Sequence, residues 1–322
     1  MSTASTLGAR YRDALPQLDK TLFLTDGGLE TTLIFHDGLD LPHFASYALL
    51  EDSEGIATLR RYFERYVEIA RECGVGIVLE TPTWRASADW GERLGHTPEQ
   101  LAELNRRAVT LLETMRDEHE THTTPIVISG NLGPRGDGYV IGDAMTVAEA
   151  TDYHATQIRT FAAAPVDLVT ALTMNYVEEA IGIVRAAREA GLPVVIGFTV
   201  ETDGRLPSGQ PLAEAIEQVD AETEGAPAYF MVNCAHPTHF EGVLEADARW
   251  TERIRGLRAN ASRMSHAELD EAEELDDGNP EELAGEYVAL RAALPQLSVI
   301  GGCCGTDHRH VEAMSRAWPT GT

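Results

Sequence analysis

The chain has 322 residues, 43% hydrophobic and 24% charged, with 52 acidic against 25 basic residues and a net charge of −27. That charge repels nucleic-acid phosphates and anionic membrane surfaces, and no apolar run approaches the ~18 residues of a membrane helix. Residues 1–20 lack the basic start, apolar centre and small-residue cleavage site of a secretory signal. The expectation is a cytoplasmic protein with small-molecule partners and no nucleic-acid or membrane partner.

In chain order, short apolar runs rich in β-formers alternate with stretches of helical period. The runs cover residues 22–25, 76–79, 126–129, 168–171, 194–198, 229–232, 254–257 and 299–300. Between them, residues 56–71 carry Leu59, Phe63, Tyr66, Val67 and Ala70 on one helical face, and similar amphipathic stretches occupy 98–118, 147–163, 177–189 and 211–218. Strands alternating with helices predict βα units around a parallel sheet. Eight of them favour a closed α/β barrel, a (β/α)8 TIM barrel, over an open doubly wound sheet. No repeat or linker divides the chain, so residues 1–322 are read as a single domain. Residues 265–286 are the exception in composition: nine of the fifteen residues at 268–282 are acidic, which predicts a solvated, partly mobile insertion before the last strand rather than a metal or partner site.

Barrel chemistry sits at the carboxyl ends of the strands, and polar or glycine-rich clusters follow the runs here: Asp26-Gly27-Gly28, Glu80-Thr81, Gly130-Asn131, Asn233-Cys234 and Gly301-Gly302-Cys303-Cys304-Gly305. Four cysteines are too few for a disulfide scaffold in a chain of this length, and a bond between the neighbours Cys303 and Cys304 would be strained. Catalytic zinc takes three protein ligands and leaves a fourth position open. Cys234 after the sixth run and Cys303 and Cys304 after the eighth match that count, and the barrel would bring them to one rim. Cys73, at the end of an amphipathic stretch, is expected to be a packed core thiol. His236 and His239 follow Cys234 closely but are read as surface histidines, since three cysteines plus substrate already complete a tetrahedron.

These clusters resemble the homocysteine S-methyltransferase family over residues 25–306. The marks are Thr25-Asp26-Gly27-Gly28 with Glu30-Thr31, the segment from Glu80-Thr81-Pro82-Thr83 through Trp84-Arg85-Ala86-Ser87, Asn131-Leu132-Gly133-Pro134, Val232-Asn233-Cys234, and Gly301-Gly302-Cys303-Cys304-Gly305-Thr306. The resemblance implies a barrel that holds Zn2+ through Cys234, Cys303 and Cys304. The reaction it implies is methyl transfer from a small sulfonium or betaine-type donor to a thiol, homocysteine giving methionine. A thiol is mostly protonated at neutral pH, and coordination to zinc leaves it a thiolate able to attack a methyl group without a separate base.

The resemblance also implies that Asp26, Gly27, Gly28 and Thr81 hold the acceptor's amino and carboxylate groups. Glu80 is assigned either to the pocket or to its support, while Asn233 and Asn131 organise the rim. Trp84 and Arg85 border the donor side, where an aromatic face would suit a cationic donor, although packing of Trp84 against the rim is the simpler role. The family also places a glutamate near the end of the fourth strand, where this chain reads Leu172-Thr173. Loss of a charged hydrogen bond there is worth about 1.5–3 kcal/mol. The acceptor is therefore homocysteine, with Asp26 or Glu80 compensating, or a different thiol or selenol that lacks the amino group. A non-catalytic zinc-binding barrel is the reading from another class. The identity of the donor and any homo-oligomer are left open by the sequence.

Overall fold

A computed structural model of the chain describes residues 8–272 and 274–319. Eight parallel strands close on themselves in sequence order: β1 Phe23–Leu24, β2 Gly76–Glu80, β3 Ile126–Leu132, β4 Leu168–Met174, β5 Val194–Phe198, β6 Tyr229–Asn233, β7 Ile254–Ala259 and β8 Val299–Gly302. The helices are α1 Leu29–Thr31, α2 Ser53–Cys73, α3 Ala88–Arg93, α4 Pro98–His119, α5 Val147–Ala162, α6 Val177–Ala190, α7 Leu212–Thr223, α8 Pro237–Phe240, α9 His266–Glu271, α10 Pro280–Leu290 and α11 His308–Ala317. The seam is short: β1 meets β8 through Phe23 with Val299 and Leu24 with Ile300. This is the expected (β/α)8 TIM barrel.

The long helices begin where side chains can satisfy their first free N–H groups. Thr97 and Thr146 make capping boxes with Gln100 and Glu149 ahead of α4 and α5. Gly74 and Gly191, at φ +65 and +71, end α2 and α6 in the left-handed conformation that glycine adopts without strain. The apolar faces of the helices cover the outside of the barrel. Phe23, Val78, Val127, Leu168, Leu172, Val195, Tyr229, Met231 and Val299 form a separate cluster, one or two from each of seven strands and so filling the interior.

Near its N-terminal end the barrel is tied by Asp167. Its carboxylate accepts hydrogen bonds from the amides of Arg10, Tyr11 and Ile128 and from buried Arg116, all within 2.7–2.9 Å. Residues 8–18 are thereby fastened to the start of β4, and Leu15 joins the interior cluster.

Three expectations are corrected. Cys73 is exposed rather than packed, because it lies in the last turn of α2 beside exposed Arg71 and Glu72, just before Gly74 reverses the chain. His236 and His239 are buried rather than at the surface: His236 caps α8 through Thr238, and His239 Nε2 bonds the carbonyl of Arg263. The acidic stretch at 265–286 is more than a solvated insertion. Ser265 caps α9 with Glu268, and Asn279 caps α10, which buries Leu283 and Ala284 as the barrel helix following β7.

Candidate active site

The carboxyl ends of β6 and β8 bring three sulfurs together. Those of Cys234, Cys303 and Cys304 lie within 4.8 Å of one another, the only such group of potential metal ligands among the described residues. Cys234 has a φ of +53, and its amide bonds the carbonyl of Arg258. Cys303 and Cys304 follow Gly302, and Gly305 then turns at φ +78 against the backbone of Asp276. Cys234 and Cys303 are joined as a disulfide, with Cα atoms 5.3 Å apart. The sequence had raised only a bond between the neighbours Cys303 and Cys304; the barrel supplies a different partner by placing the ends of β6 and β8 side by side. Reduction of that bond yields three thiols in one cluster, a soft donor set that suits zinc. Burial pushes the Cys304 thiol up, the Tyr139 hydroxyl 3.6 Å away opposes that shift, and the Glu30 carboxylate adds to it.

Beneath the sulfurs lies a charged group that the sequence did not reveal. Arg258 on β7 pairs with Asp26 at 2.7 Å and donates to the carbonyls of Gly302 and Gly27. Both side chains of the pair are buried. Asp26 also accepts from Tyr62. Burial pushes the Asp26 carboxyl up against the pull of Arg258, whereas burial pulls Arg258 down and Asp26, Glu80 and Tyr62 together hold it above its usual value. Glu80 points into the same interior near Ser129 and Thr170, and burial raises it to about 7. One oxygen of Glu80 and one nitrogen of Arg258 have no hydrogen-bond partner.

The other predicted residues take more structural places. The Gly28 amide bonds the carbonyl of Thr306, and a Cβ at Gly28 would lie 2.5 Å from the carbonyl oxygen of Cys303. Gly27 and Gly28 thus let the turn after β1 approach the cysteine loop, and that Gly28 amide already has an intramolecular partner. Thr81 bonds Thr83 and the amide of Asn131. Asn233 holds Thr173, accepting from its amide and donating to its hydroxyl, which fixes that residue at φ +63 at the end of β4. Leu172 packs in the interior cluster and presents no charge. Trp84 bonds the carbonyl of Leu172. Arg85 is stacked between Trp84 and Trp90, 3.9 and 3.8 Å from the ring centres, so one face of Trp84 already carries a cation.

Above the sulfurs, Tyr139 from the loop after β3 stacks on His266 of α9 with ring centres 4.0 Å apart. His266 bonds the carbonyl of Cys234 at 2.7 Å and the carboxylate of Glu201 at 3.1 Å. Neither ring was singled out from the sequence. No local signal marks them: Tyr139 lies in the long loop after β3 and His266 is the first residue of α9, and only the fold brings the two together.

The model of the homocysteine S-methyltransferase family matches residues 23–318. Homocysteine S-methyltransferase 4 of Zea mays is 24% identical over 91% of this chain and 88% of its own length. Homocysteine S-methyltransferase 1 of Arabidopsis thaliana is 23% identical over 91% and 92%. Among solved structures, the homocysteine methyltransferase MmuM from Escherichia coli in its oxidized form superposes with a TM-score of 0.72 at 18% identity, over 92% of this chain and 96% of that one. The metallated form of the same protein gives 0.71 over 93% and 97%. The structural likeness supports the shared barrel, and the family match spans nearly all of it: the chain belongs to the homocysteine S-methyltransferase family and is a methyltransferase.

Proposed function

We propose that this methyltransferase is zinc-dependent and moves a methyl group from a small sulfonium or betaine-type donor to homocysteine, giving methionine. The observation that carries the proposal is the cluster of three cysteine sulfurs at the carboxyl rim of the barrel. Cys234, Cys303 and Cys304 would hold the metal once the disulfide is reduced. Zinc in that position supplies the acceptor sulfur as a thiolate, so no protein base is needed for the attack. The chain's own residues then have structural work: Arg258 braces the Asp26 turn and the Gly302 carbonyl, Asn233 braces Thr173, Tyr139 meets Cys304, and His266, stacked on Tyr139, holds the Cys234 carbonyl. The same proposal includes a single domain across residues 1–322, a cytoplasmic location, and a small-molecule acceptor and donor as partners.

The second reading is the same chemistry on a different thiol or selenol. It is favoured by Leu172, an apolar side chain in the interior cluster, and by Asp26 being engaged with Arg258. The test of both is titration of reduced, cobalt-substituted protein with homocysteine, followed by thiolate-to-metal absorption. A saturable change is expected. A metallated protein that gives no response would remove homocysteine and leave the second reading; a reduced protein that binds neither cobalt nor zinc would remove both.

A further inference from the structure

Three metal-bound cysteine thiolates offer a methyl donor the same kind of nucleophile as the acceptor does, so the site has to spare its own sulfurs. We propose that Tyr139 spares Cys304: it is a positioning residue whose hydroxyl donates to the Cys304 sulfur and leaves the acceptor thiolate as the better nucleophile. The inference rests on the functional reading above and gives a chemical role to a contact that reading leaves structural.

The three sulfurs are unequally covered. Cys234 is buried, its sulfur accepts from the Thr173 hydroxyl at 3.9 Å, and Cys303 turns its own sulfur onto it. Cys304 is half-buried and stands outside that bond. Its side-chain hydrogen bond among the described residues is with the Tyr139 hydroxyl, at 3.6 Å. Between a thiol and a phenol either group could donate. A thiolate has no proton to give, so with metal bound the tyrosine hydroxyl is the donor. Such a charge-assisted bond is strongest while the sulfur carries its full charge and fades as a methyl group attaches. It therefore stabilises the resting thiolate more than the transition state, which slows attack by that sulfur.

The place of the tyrosine is built from several elements. Asn175 donates to the carbonyls of Asp137 and Gly138, Arg85 donates to the carbonyl of Gly136 at 2.8 Å, and buried Glu179 accepts from the amide of Arg135 at 2.7 Å. Groups from the loops after β2 and β4 and from α6 thus fix the backbone just ahead of the ring. The ring itself lies on His266, which is held to the Cys234 carbonyl. Among the described residues the hydroxyl has the sulfur as its hydrogen-bond partner.

The reaction to be avoided is a simple displacement. The carbon–sulfur bond of a sulfonium breaks with its electron pair going to the departing thioether, the methyl carbon bonds to Cys304, and no proton moves.

The experiment uses Tyr139→Phe, which keeps the ring and removes the hydroxyl. In the reduced, cobalt-substituted protein the thiolate-to-metal absorption is expected to move to longer wavelength, because a sulfur without the bond holds its charge less tightly. The reduced, zinc-loaded protein is then treated with iodomethane as the methylating probe and mapped by peptide mass. Cys304 is expected to be methylated about tenfold faster in the variant than in the wild type, with Cys234 unchanged. Metal content equal to wild type verifies that the variant is folded. The proposal is overturned if Cys304 is methylated at the wild-type rate, or if Cys234 is accelerated equally, which would mean that the rim has merely opened. Faster methylation without a spectral shift also overturns it, since access and not the hydrogen bond would then be the cause. So does loss of metal from the variant, which would make the hydroxyl part of the ligand set. A reduced wild-type protein that takes up neither metal overturns the underlying functional reading instead.

Discussion

The cysteine cluster and the Asp26–Arg258 pair lie against each other, yet they answer to different physics. Removing one sulfur from a three-thiolate site should weaken zinc by at least about a hundredfold, beyond the loss that a merely supporting contact causes. Cys303→Ala is therefore expected to lose zinc and methyl transfer together, as checked by metal content after dialysis and by turnover; a variant with full zinc and full turnover would contradict the ligand assignment. Arg258 contributes through charge. Both members of its pair are buried, and deleting one partner of a buried pair typically costs about 3–5 kcal/mol because the other charge is left uncompensated. Arg258→Met should accordingly lower the unfolding free energy by an amount of that order, read as a lower urea midpoint at unchanged slope. A midpoint unchanged from wild type would mean that Asp26 is neutral in the folded protein.

Between elements, the stack of Tyr139 on His266 joins the loop after β3 to α9 at the rim. His266→Ala removes the stack and the bond to the Cys234 carbonyl. The expected result is faster amide hydrogen exchange over residues 133–146, with the barrel strands unaffected; equal protection in variant and wild type would show that the loop is held by other contacts. Much of this level of organisation was readable in advance. All eight runs became strands and the five amphipathic stretches became helices, because the continuous apolar runs of buried parallel strands and the 3.6-residue helical period are visible without knowledge of tertiary contacts. The ends of strands were the weak point. The seventh run was expected to stop at 257 but β7 continues to Ala259, so Arg258 was overlooked: a charged residue at the edge of an apolar run carries no local sign that a carboxylate 232 positions earlier will face it. The fourth run likewise continues through Leu172 and Thr173 to Met174. The acidic stretch misled for the opposite reason, its composition concealing the caps at Ser265 and Asn279.

For the whole molecule, stability should depend on the two ends of the barrel in different ways. Asp167 gathers Arg10, Tyr11, Arg116 and Ile128 at the N-terminal end, so Asp167→Ala strands buried Arg116 and unfastens residues 8–18. A loss of about 3–5 kcal/mol is expected in denaturant unfolding, with catalysis at the opposite end retained in the folded fraction. Glu80 makes stability pH-dependent. Burial raises its carboxyl from 4.5 to about 7 in the folded chain, so the unfolded chain releases its proton first. The contribution is present in full below the unfolded value and is lost as pH rises toward 7, by about 3 kcal/mol if the other groups are unchanged. Glu80→Gln should flatten the fall in stability between pH 4.5 and 7, and an identical pH profile for the two proteins would assign the dependence to other groups.

The position of the sulfurs along the chain sets an order of events during synthesis. Residue 234 is made well before residues 303 and 304, and the strand that closes the barrel against β1 is the last to appear. Until β8 emerges, the growing chain offers Cys234 alone of the three, and the turn at Asp26 has no neighbour across the seam. Contacts between such distant parts of a chain form slowly. A nascent chain with a folded first half thus cannot gather the three sulfurs, and under the proposed metal role completion of the barrel and completion of the ligand set would be the same step.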